Sequence, residues 1–448
     1  MLTLEDYLQH NARLYPDKPA MVCGAETCSY LQLYDRCRAR AADFASDKGR
    51  VHLFRASQTI DFVTDYMALH MAGAVAAPLE HDTPQLLLDE MAANIAAKPP
   101  HPSSGEPIAD VLFTTGTTGR SKGVMISHRA IIANAENLIA GQGFTHDLTF
   151  IVNGPLNHIG SLSKIYPVIV LGATLYILPG MKDMNQFFEA LDYNVPKMAT
   201  FFVPATVRML LQLAPQRLAS YAHKLDFIEC GGAPLPHADM LALCRLLPAT
   251  RLYNTYASTE TGIVSTYNYN DGRCLAGCLG HPMPHSTVFI TPDGRIACQG
   301  DTLMSGYLGD PELTGAVLRD GTVYTADLGH IDDEGMLYIS GRQDDVINIG
   351  GYKVAPTEVE EAALLLPDIE DCICTTAPHP ITGLALKLLV VMADGRQLNK
   401  RLVAQHLATR LERYKVPMLY EQADHIERTY NGKLNRKYYK ESRQSHSL

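Results

Sequence analysis

The stretch that organises this sequence runs Leu112-Phe113-Thr114-Thr115-Gly116-Thr117-Thr118-Gly119-Arg120-Ser121-Lys122-Gly123-Val124. The apolar residues before Thr114 predict a buried strand, which breaks into a loop of hydroxyl residues and glycines. Successive backbone N–H groups in such a loop form a concave anion site, because glycine permits positive φ. Lys122 adds positive charge, so the loop predicts a polyphosphate ligand. It is not a Walker A sequence, because Gly123 follows the lysine; taken alone, the stretch also fits a flexible linker.

Composition places the chain among globular proteins and argues against several classes. Of 448 residues, 46% are hydrophobic and 19% charged, which predicts about two or three domains. The net charge of −10 argues against a nucleic-acid partner, since phosphate contacts need a basic surface. The sequence has no apolar run of about 18 residues and no secretory pattern at its start, so we expect no membrane insertion. The 10 cysteines form no Cys-x-x-Cys pair, so we expect reduced thiols and a cytoplasmic location.

Hydrophobic periodicity predicts a layered α/β core followed by a smaller α+β unit after Arg342. Residues 97–108 are rich in proline and serine and predict a linker. In the smaller unit, Val403, Leu407 and Leu411 predict a final helix that Val416-Pro417 stops. Further helices are predicted over 4–14, from 29, over 130–139 and at 207–214, and strands at 51–54, 151–152 and 173–178. The segment 61–77 is predicted as a helix that runs into an apolar strand end at Pro78.

Three more blocks follow the glycine–threonine loop in order. They are Asn254-Thr255-Tyr256-Ala257-Ser258-Thr259-Glu260-Thr261-Gly262; Tyr324-Thr325-Ala326-Asp327-Leu328-Gly329 with Gly341-Arg342-Gln343-Asp344-Asp345 and Gly350-Gly351-Tyr352-Lys353; and Asn431-Gly432-Lys433-Leu434-Asn435-Arg436. Together the four blocks resemble the adenylate-forming (AMP-binding) enzymes, and in particular their acyl- and aryl-CoA ligases. The resemblance covers nearly the whole chain. It implies a large N-terminal core over 1–342, a hinge at 343–345 and a small, mobile C-terminal lid over 346–448.

The resemblance implies that a carboxylate attacks the α-phosphorus of ATP and expels pyrophosphate. Glu260 would help hold Mg²⁺, which prefers carboxylate and phosphate oxygens. Lys433 would bridge the reacting carboxylate and the α-phosphate. Tyr256 would stack on adenine, with a core tyrosine as the alternative. Asp327 would accept hydrogen bonds from both ribose hydroxyls, and Arg342 would donate to the ribose or phosphate; a surface ion pair is the alternative for both. The residues implied to hold the nucleotide are Thr114, Thr115, Gly116, Thr117, Thr118, Gly119, Lys122, Tyr256, Ser258, Thr259, Asp327 and Arg342.

The second half-reaction of the family implies a thiol acceptor, either CoA or the phosphopantetheine arm of an acyl carrier protein. The small domain rotates after adenylation in these enzymes. Asp344 matches the hinge position, and Gly351 with Lys353 matches the thiol tunnel. A loop acid and a turn glycine are the alternative interpretations of Asp344 and Gly351.

The segment before the acyl pocket, Pro155-Leu156-Asn157-His158, contains no acid that could pair with an α-ammonium group. A buried unpaired ammonium is costly, so the predicted substrate lacks an α-amine. Phe202, Val203 and Ile263 predict an apolar pocket, which suits an aryl or medium acyl acid. His158 would lie at the substrate mouth and act in catalysis, with a core histidine as the alternative. The predicted pocket residues are His158, Phe202, Gly231, Gly232, Ala233 and Ile263.

The sequence departs from the family pattern at two kinds of position. Ala257 and Ala326 stand where glycine is usual, and the stretch between Pro78 and the phosphate loop is shorter by some tens of residues. These departures leave a second hypothesis open, a nucleotide-binding sensor that has lost the chemistry. The exact acid, the choice between CoA and a carrier protein, and the oligomeric state are not predicted.

Overall fold

The computed structural model describes residues 2–96, 106–115, 121–349, 352–379, 383–429 and 432–441. The predicted residues Gly116, Thr117, Thr118, Gly119 and Gly351 and most of the predicted 97–108 linker therefore lie outside the described residues. In the part of the chain that is described, no helix is long and apolar enough to cross a membrane.

The first third of the chain alternates helices and strands. Its elements are α1 Leu4–Leu14, β1 Pro19–Cys23, β2 Glu26–Ser29, α2 Tyr30–Ala41, β3 Val51–Arg55, α3 Ile60–Met71, β4 Val75–Leu79, α4 Gln85–Ala96, β5 Ile108–Thr115, β6 Ser121–Ser127 and α5 His128–Gln142. Local signals explain several boundaries. The Ser29 hydroxyl accepts from the Gln32 N–H at the start of α2, and Ser127 does the same for α5.

The middle third continues the alternation. Its elements are β7 Thr149–Val152, α6 Ile159–Leu162, α7 Ile165–Leu171, β8 Thr174–Ile177, α8 Met184–Leu191, β9 Met198–Phe202, α9 Pro204–Leu213, α10 Pro215–Ser220, β10 Leu225–Gly231, α11 His237–Leu246, β11 Arg251–Ser258 and β12 Gly262–Asn268. A mainly antiparallel segment follows, made of β13 Cys278–Pro282, β14 Ser286–Ile290, β15 Arg295–Gly300, β16 Gly306–Tyr307, α12 Pro311–Val317, β17 Leu318–Arg319, β18 Thr322–Ile331 and β19 Leu337–Arg342.

Two sheets form the large domain. Among the described residues, one has five strands in the order β16-β6-β5-β4-β3, and the other runs β14-β15-β18-β19-β13-β12-β11-β10-β9-β7-β8-β1-β2. Strands β8, β7, β9, β10 and β11 pair in parallel, as the predicted layered α/β pattern requires. The largest buried cluster includes residues of α3, α5 and α7, where Tyr66, Ile131 and Val168 are at most 1% exposed.

The smaller C-terminal unit is α+β, as predicted. It contains β20 Ile347–Ile349, β21 Tyr352–Val354, α13 Pro356–Leu364, β22 Ile369–His379, β23 Gly383–Met392, α14 Lys400–Ala408, β24 Leu419–Gln422 and α15 Arg436–Glu441. The fold class is thus confirmed as a large α/β domain with a small C-terminal domain. Gln343–Asp345 forms a single 3₁₀ turn after β19; the role of that turn as a hinge, and the boundaries around it, stay predictions.

The segment predicted over 61–77 as a helix running into a strand end is confirmed: α3 ends at Met71, Gly73 adopts φ +71, and the chain turns into β4. One other predicted helix is wrong in extent. The predicted final helix α14 ends at Ala408, so Leu411 lies beyond it and Val416-Pro417 does not stop it. The Thr409 hydroxyl donates to the His406 carbonyl there, a local hydrogen bond that competes with helix continuation. A strand and another helix follow.

Candidate active site

The predicted phosphate loop lies in the sequence between β5 and β6, two strands that pair in an antiparallel manner. Thr114 pairs with Lys122 across these strands, so Lys122 is a strand residue rather than the loop residue that we predicted. Thr115 is the last residue of β5. Gly123 must be glycine, because a Cβ there would lie 2.9 Å from Cγ1 of Val111. The two strands therefore carry the predicted threonines and lysine at one end of the five-stranded sheet.

Tyr307, which the sequence did not single out, joins the predicted phosphate and metal residues. Tyr307 lies in β16, which pairs with β6. Its hydroxyl donates to Oε1 of Glu260 at 3.0 Å, and the Lys122 ammonium lies 5.7 Å from its ring centroid. Burial and the nearby Glu260 raise the pKa of Tyr307, so it remains a donor. Lys122 and Glu260 therefore flank one tyrosine, which places the predicted phosphate-binding charge beside the predicted metal carboxylate.

Asp327 lies at the centre of a second group. It pairs with Arg342 across β18 and β19, with 3.1 Å between Arg342 Nε and Asp327 Oδ1. The Tyr256 hydroxyl donates to Oδ2 of Asp327 at 2.7 Å. Burial, then Asp327, raises the pKa of Tyr256. Because Tyr256 is only 6% exposed, its observed role is to orient Asp327; stacking on adenine stays a prediction.

The turn between β11 and β12 presents the remaining residues of that block. Thr259 and Glu260 form the turn itself, while the Ser258 N–H donates to the Thr261 hydroxyl at 3.1 Å. Gly262 follows with φ +67, and a Cβ there would lie 2.6 Å from the Thr302 carbonyl oxygen. The glycine thus lets the turn pack closely while Glu260 extends toward Tyr307.

Two glycines at the end of β10 are predicted to form one wall of the acyl pocket. A Cβ on Gly231 would lie 3.1 Å from the Thr255 carbonyl oxygen, and Gly232 has φ +82, next to Val203. Gly231 is buried, Gly232 is exposed and Ala233 is partly exposed. The role of these three residues as a pocket wall stays a prediction.

The structure corrects two of the predicted pocket residues. Phe202 is 1% exposed and packs edge-to-face on Phe187 in the core, with 5.3 Å between ring centroids. Successive strand residues face opposite sides, so its neighbour Phe201 lies on the other face of β9. A Cβ on Gly160 would lie 3.2 Å from the Phe201 ring, and one on Gly231 would lie 3.4 Å away. Ile263 is likewise a core residue, at 1% exposure.

His158 lies at the N-terminus of α6 and pairs with a residue that the sequence did not reveal. Its Nε2 lies 2.9 Å from Oε1 of Glu80, which directly follows β4. The hydrogen bond from His158 lowers the pKa of Glu80. Both side chains are about one-third exposed, so they lie near the surface rather than in the core, as a position at the mouth of the substrate pocket would require. The partner was invisible from sequence because 78 residues separate the two positions in the chain.

Beneath Phe201 lies a buried ion pair that the sequence analysis missed. Lys164 and Glu229 have side-chain exposures of 0% and 1% and are 2.7 Å apart. The Lys164 ammonium also lies 5.1 Å from the Phe201 ring centroid. Burial lowers the pKa of Lys164, and Glu229 opposes that shift. Neither residue belongs to a sequence pattern that predicts an ion pair. The two meet only in the tertiary structure, where Lys164 at the start of α7 contacts Glu229 of β10.

The Lys433 segment lies on the large domain, against the pocket wall. A Cβ on Gly432 would lie 3.5 Å from Cβ of Ala205 and 4.0 Å from Cγ2 of Val203, the residue next to Gly232. Burial lowers the pKa of Lys433, Arg342 lowers it further, and Asp327 and Glu260 oppose the shift. Although solvent still reaches Lys433, it shares one electrostatic environment with the three predicted nucleotide and metal residues.

Charged contacts support this placement of the small domain. Arg208 of α9 approaches Asp371 of β22 to 3.3 Å and donates to the Glu370 carbonyl. Arg428 also pairs with Asp371, at 2.6 Å. Arg436 joins Asp345 to Glu360, so the segment after Lys433 is tied to the residue beside Asp344. The side chains of Asp344 and Lys353 are outside the described part, so their predicted roles stay predictions.

Sequence comparison identifies the family. The profile described as AMP-binding enzyme matches residues 83–308, and that of the AMP-binding enzyme C-terminal domain matches residues 358–433.

The chain belongs to the AMP-binding enzyme family.

Individual members of the family align with most of this chain. The long-chain-fatty-acid–CoA ligase of Bacillus subtilis is 30% identical over 76% of this chain and 63% of its own length. The indoleacetate–CoA ligase of Aromatoleum aromaticum is 30% identical over 73% of this chain and 65% of its own length. The chain thus spans less than two thirds of these two relatives. ATP-bound MatB from Rhodopseudomonas palustris shares the fold, with a TM-score of 0.85, 24% identity and coverage of 98% and 99% of the two chains.

The residues of this AMP-binding family member fit the nucleotide and metal that the family implies. Glu260 offers a carboxylate, the ligand type that Mg²⁺ prefers, and Tyr307 engages only its Oε1 among the hydrogen bonds described. Lys122 and Lys433 supply positive charge on either side of that carboxylate. Asp327 is held by Tyr256 and Arg342 in an orientation suited to accept hydroxyl hydrogen bonds. The donor set is therefore consistent with a nucleoside triphosphate.

Proposed function

We propose that this chain activates a carboxylic acid with ATP and transfers the acyl group to a thiol, forming a thioester with CoA. The observation that carries the proposal is the position of the Lys433 segment, which lies against Val203 and Ala205. There the Lys433 ammonium interacts electrostatically with the carboxylates of Glu260 and Asp327. The family of the chain and the names of its relatives agree with this chemistry.

In the first step, a carboxylate oxygen of the substrate bonds to the α-phosphorus. The bond between the α-phosphorus and the oxygen that bridges the α- and β-phosphates breaks, and pyrophosphate leaves with its electron pair. Two anions must meet, so cationic groups aimed at the developing charge lower the barrier. Lys433 would neutralise charge at the reacting oxygens and Lys122 would hold the departing phosphates. Mg²⁺, when bound at Glu260, would neutralise further phosphate charge.

In the second step, the acceptor sulfur bonds to the acyl carbon, AMP leaves with the electron pair of the broken bond, and the thiol proton passes to solvent. The proposed hinge around Asp344 would move Lys433 away and open the tunnel at Gly351 and Lys353. CoA is the proposed acceptor. A carrier-protein arm presents the same thiol, so the acceptor is decided by experiment.

The test of the proposed function is carboxylate-dependent exchange of labelled pyrophosphate into ATP, across a panel of aryl, medium acyl and long acyl acids. We expect exchange with at least one acid that lacks an α-amine, followed by AMP release on adding CoA. Release with holo-carrier protein alone would reassign the acceptor. Tight AMP binding without exchange for any acid would overturn the proposal and favour a nucleotide-binding sensor.

Phe201 is expected to limit the length of the acid, because its ring stands between Gly160 and Gly231. Phe201→Ala should remove that obstruction and raise kcat/KM for longer acids relative to short or flat ones by about tenfold, a free-energy difference of about 1.4 kcal/mol within the range for one or two methylenes. Exchange rates across acids of increasing length measure this change.

The matched control is the next residue. Phe202→Ala removes the same side chain from the core and should cost about 3–5 kcal/mol of stability without changing the acid preference. Equal shifts in acid preference for both variants would show that Phe201 has no special place in the pocket.

A further inference from the structure

A second polar cluster lies away from the proposed nucleotide site, where helices α1, α3 and α5 converge. It consists of Glu5 in the first turn of α1, His70 near the end of α3 and His128 at the start of α5. One ligand atom from each lies within 4.8 Å of the other two. His128 Nδ1 is 4.0 Å from Glu5 Oε1, and the two imidazole rings are 5.2 Å apart between centroids.

A buried carboxylate fixes the orientation of His70. Asp110 on β5 is fully buried and accepts a hydrogen bond from the Tyr66 hydroxyl at 2.8 Å. His70 Nε2 lies 2.9 Å from the other oxygen of Asp110. Because Asp110 acts as an acceptor, His70 Nε2 carries the proton and donates. This leaves His70 Nδ1 facing the cluster, in the carboxylate–histidine arrangement that orients metal-binding imidazoles.

Two atoms of the cluster are buried without a partner. Among the described residues, His70 Nδ1 and Glu5 Oε2 are buried side-chain atoms without a well-formed hydrogen bond, although the Ala109 backbone also acts on His70, which is 3% exposed. Buried polar atoms in folded proteins are almost always paired, so an unpaired nitrogen and an unpaired carboxylate oxygen in one cluster call for a further ligand. The remaining gap of 4.0 Å is too long for a direct hydrogen bond between His128 and Glu5.

The charge around the cluster favours a cation. The Glu5 carboxylate lies 4.0 Å from His128, and the buried Asp110 carboxylate lies 2.9 Å from His70. A dication bound to neutral imidazoles would balance the negative charges of Glu5 and Asp110. Nitrogen ligands exclude Mg²⁺ and Ca²⁺ as the preferred ions and favour Zn²⁺ or a similar transition metal.

We propose that Glu5, His70 and His128 form a binding site for a divalent transition-metal ion, with Zn²⁺ as its probe, distinct from the proposed ATP–Mg²⁺ site. Bond lengths of about 2.0–2.2 Å would draw the three ligand atoms to roughly 3.3 Å apart. The side chains of Glu5 and His128 are 18% and 15% exposed, so an ion can enter from that side and keep a water as its fourth ligand. The ion would tie α1 and α5 to α3, and through Asp110 to the strand that carries Thr114.

The test uses the full chain without an affinity tag. Protein stripped with chelator is titrated with Zn²⁺ by calorimetry and with Co²⁺ by visible absorption, and retained metal is measured after gel filtration. We expect about one equivalent bound per chain, a tetrahedral Co²⁺ spectrum and a higher melting temperature with zinc. None of these measurements depends on ligase activity, so the result is independent of the proposed function.

Matched variants test whether zinc binds at this cluster. Glu5→Gln and His128→Asn alter partly exposed ligands without emptying the core, and should weaken zinc binding by at least about tenfold. Glu90→Gln on α4 and His10→Asn on the exposed side of α1 are the controls and should bind as the unaltered chain does. Absence of stoichiometric binding in the folded unaltered chain would show a hydrogen-bonded cluster only, and equal binding by all variants would place the ion elsewhere; either result overturns the proposal.

Discussion

Replacing Lys433 with alanine is expected to reduce pyrophosphate exchange by about 10²–10³-fold, the usual loss when one preorganised charge-stabilising group is removed. The expected loss is large because Lys433 shares its environment with Glu260, Asp327 and Arg342, where charge would build up in the transition state. Folding should be unaffected, since the side chain faces a cleft that solvent reaches.

The rate of the second half-reaction distinguishes a specific role of Lys433 in adenylation from a general loss of enzyme activity. If the proposed rotation removes Lys433 from the site, the variant should convert a chemically prepared acyl-adenylate to thioester at nearly the unaltered rate. Lys400→Ala, an exposed lysine at the start of α14 in the same small domain, is the matched control and should leave both rates unchanged. An equal loss in both half-reactions would contradict the assigned role.

The pH profile offers a further readout of Lys433. Burial and the charge of Arg342 lower the pKa of Lys433, so its ammonium is lost at a lower pH than an ordinary lysine. The rate of pyrophosphate exchange should therefore fall as the pH rises and Lys433 loses its proton. The rate of thioester formation from the adenylate should not show this decrease.

Glu229→Gln is expected to destabilise the large domain by about 3–5 kcal/mol, because it leaves the Lys164 ammonium buried without its counter-charge. Both side chains are at most 1% exposed, so water cannot replace the lost carboxylate. The midpoint of urea unfolding measures the loss.

Two controls distinguish burial from charge as such. Glu26→Gln breaks the Arg36–Glu26 pair, whose side chains are 44% and 51% exposed, and should cost less than about 1 kcal/mol. Replacing both members of the buried pair, Lys164→Met with Glu229→Leu, should recover most of the stability that the single change loses. A small effect of Glu229→Gln, equal to that of the exposed pair, would show that Lys164 finds another partner or loses its proton without cost.

Much of the site was predictable because its residues lie in short contiguous blocks. Thr114 and Lys122 pair across two strands adjacent in the chain, and so do Asp327 within β18 and Arg342 at the end of β19, so local sequence already places each pair close together. The contacts of Glu80 with His158 and of Tyr307 with Glu260 were not predictable. Each joins positions distant in the chain and has no local pattern.

By itself, the sequence determined the family and the class of fold, because glycine-rich turns, strand periodicity and helix caps act within a few residues. The tertiary structure decided which face of β9 each ring takes, so Phe202 packs on Phe187 in the core while Phe201 lies beside Gly160 and Gly231. It also decided that Lys164 and Glu229 form a buried pair and that Glu5, His70 and His128 converge. The physical reason is that side-chain direction and burial depend on how distant elements pack, and packing is a property of the whole folded chain.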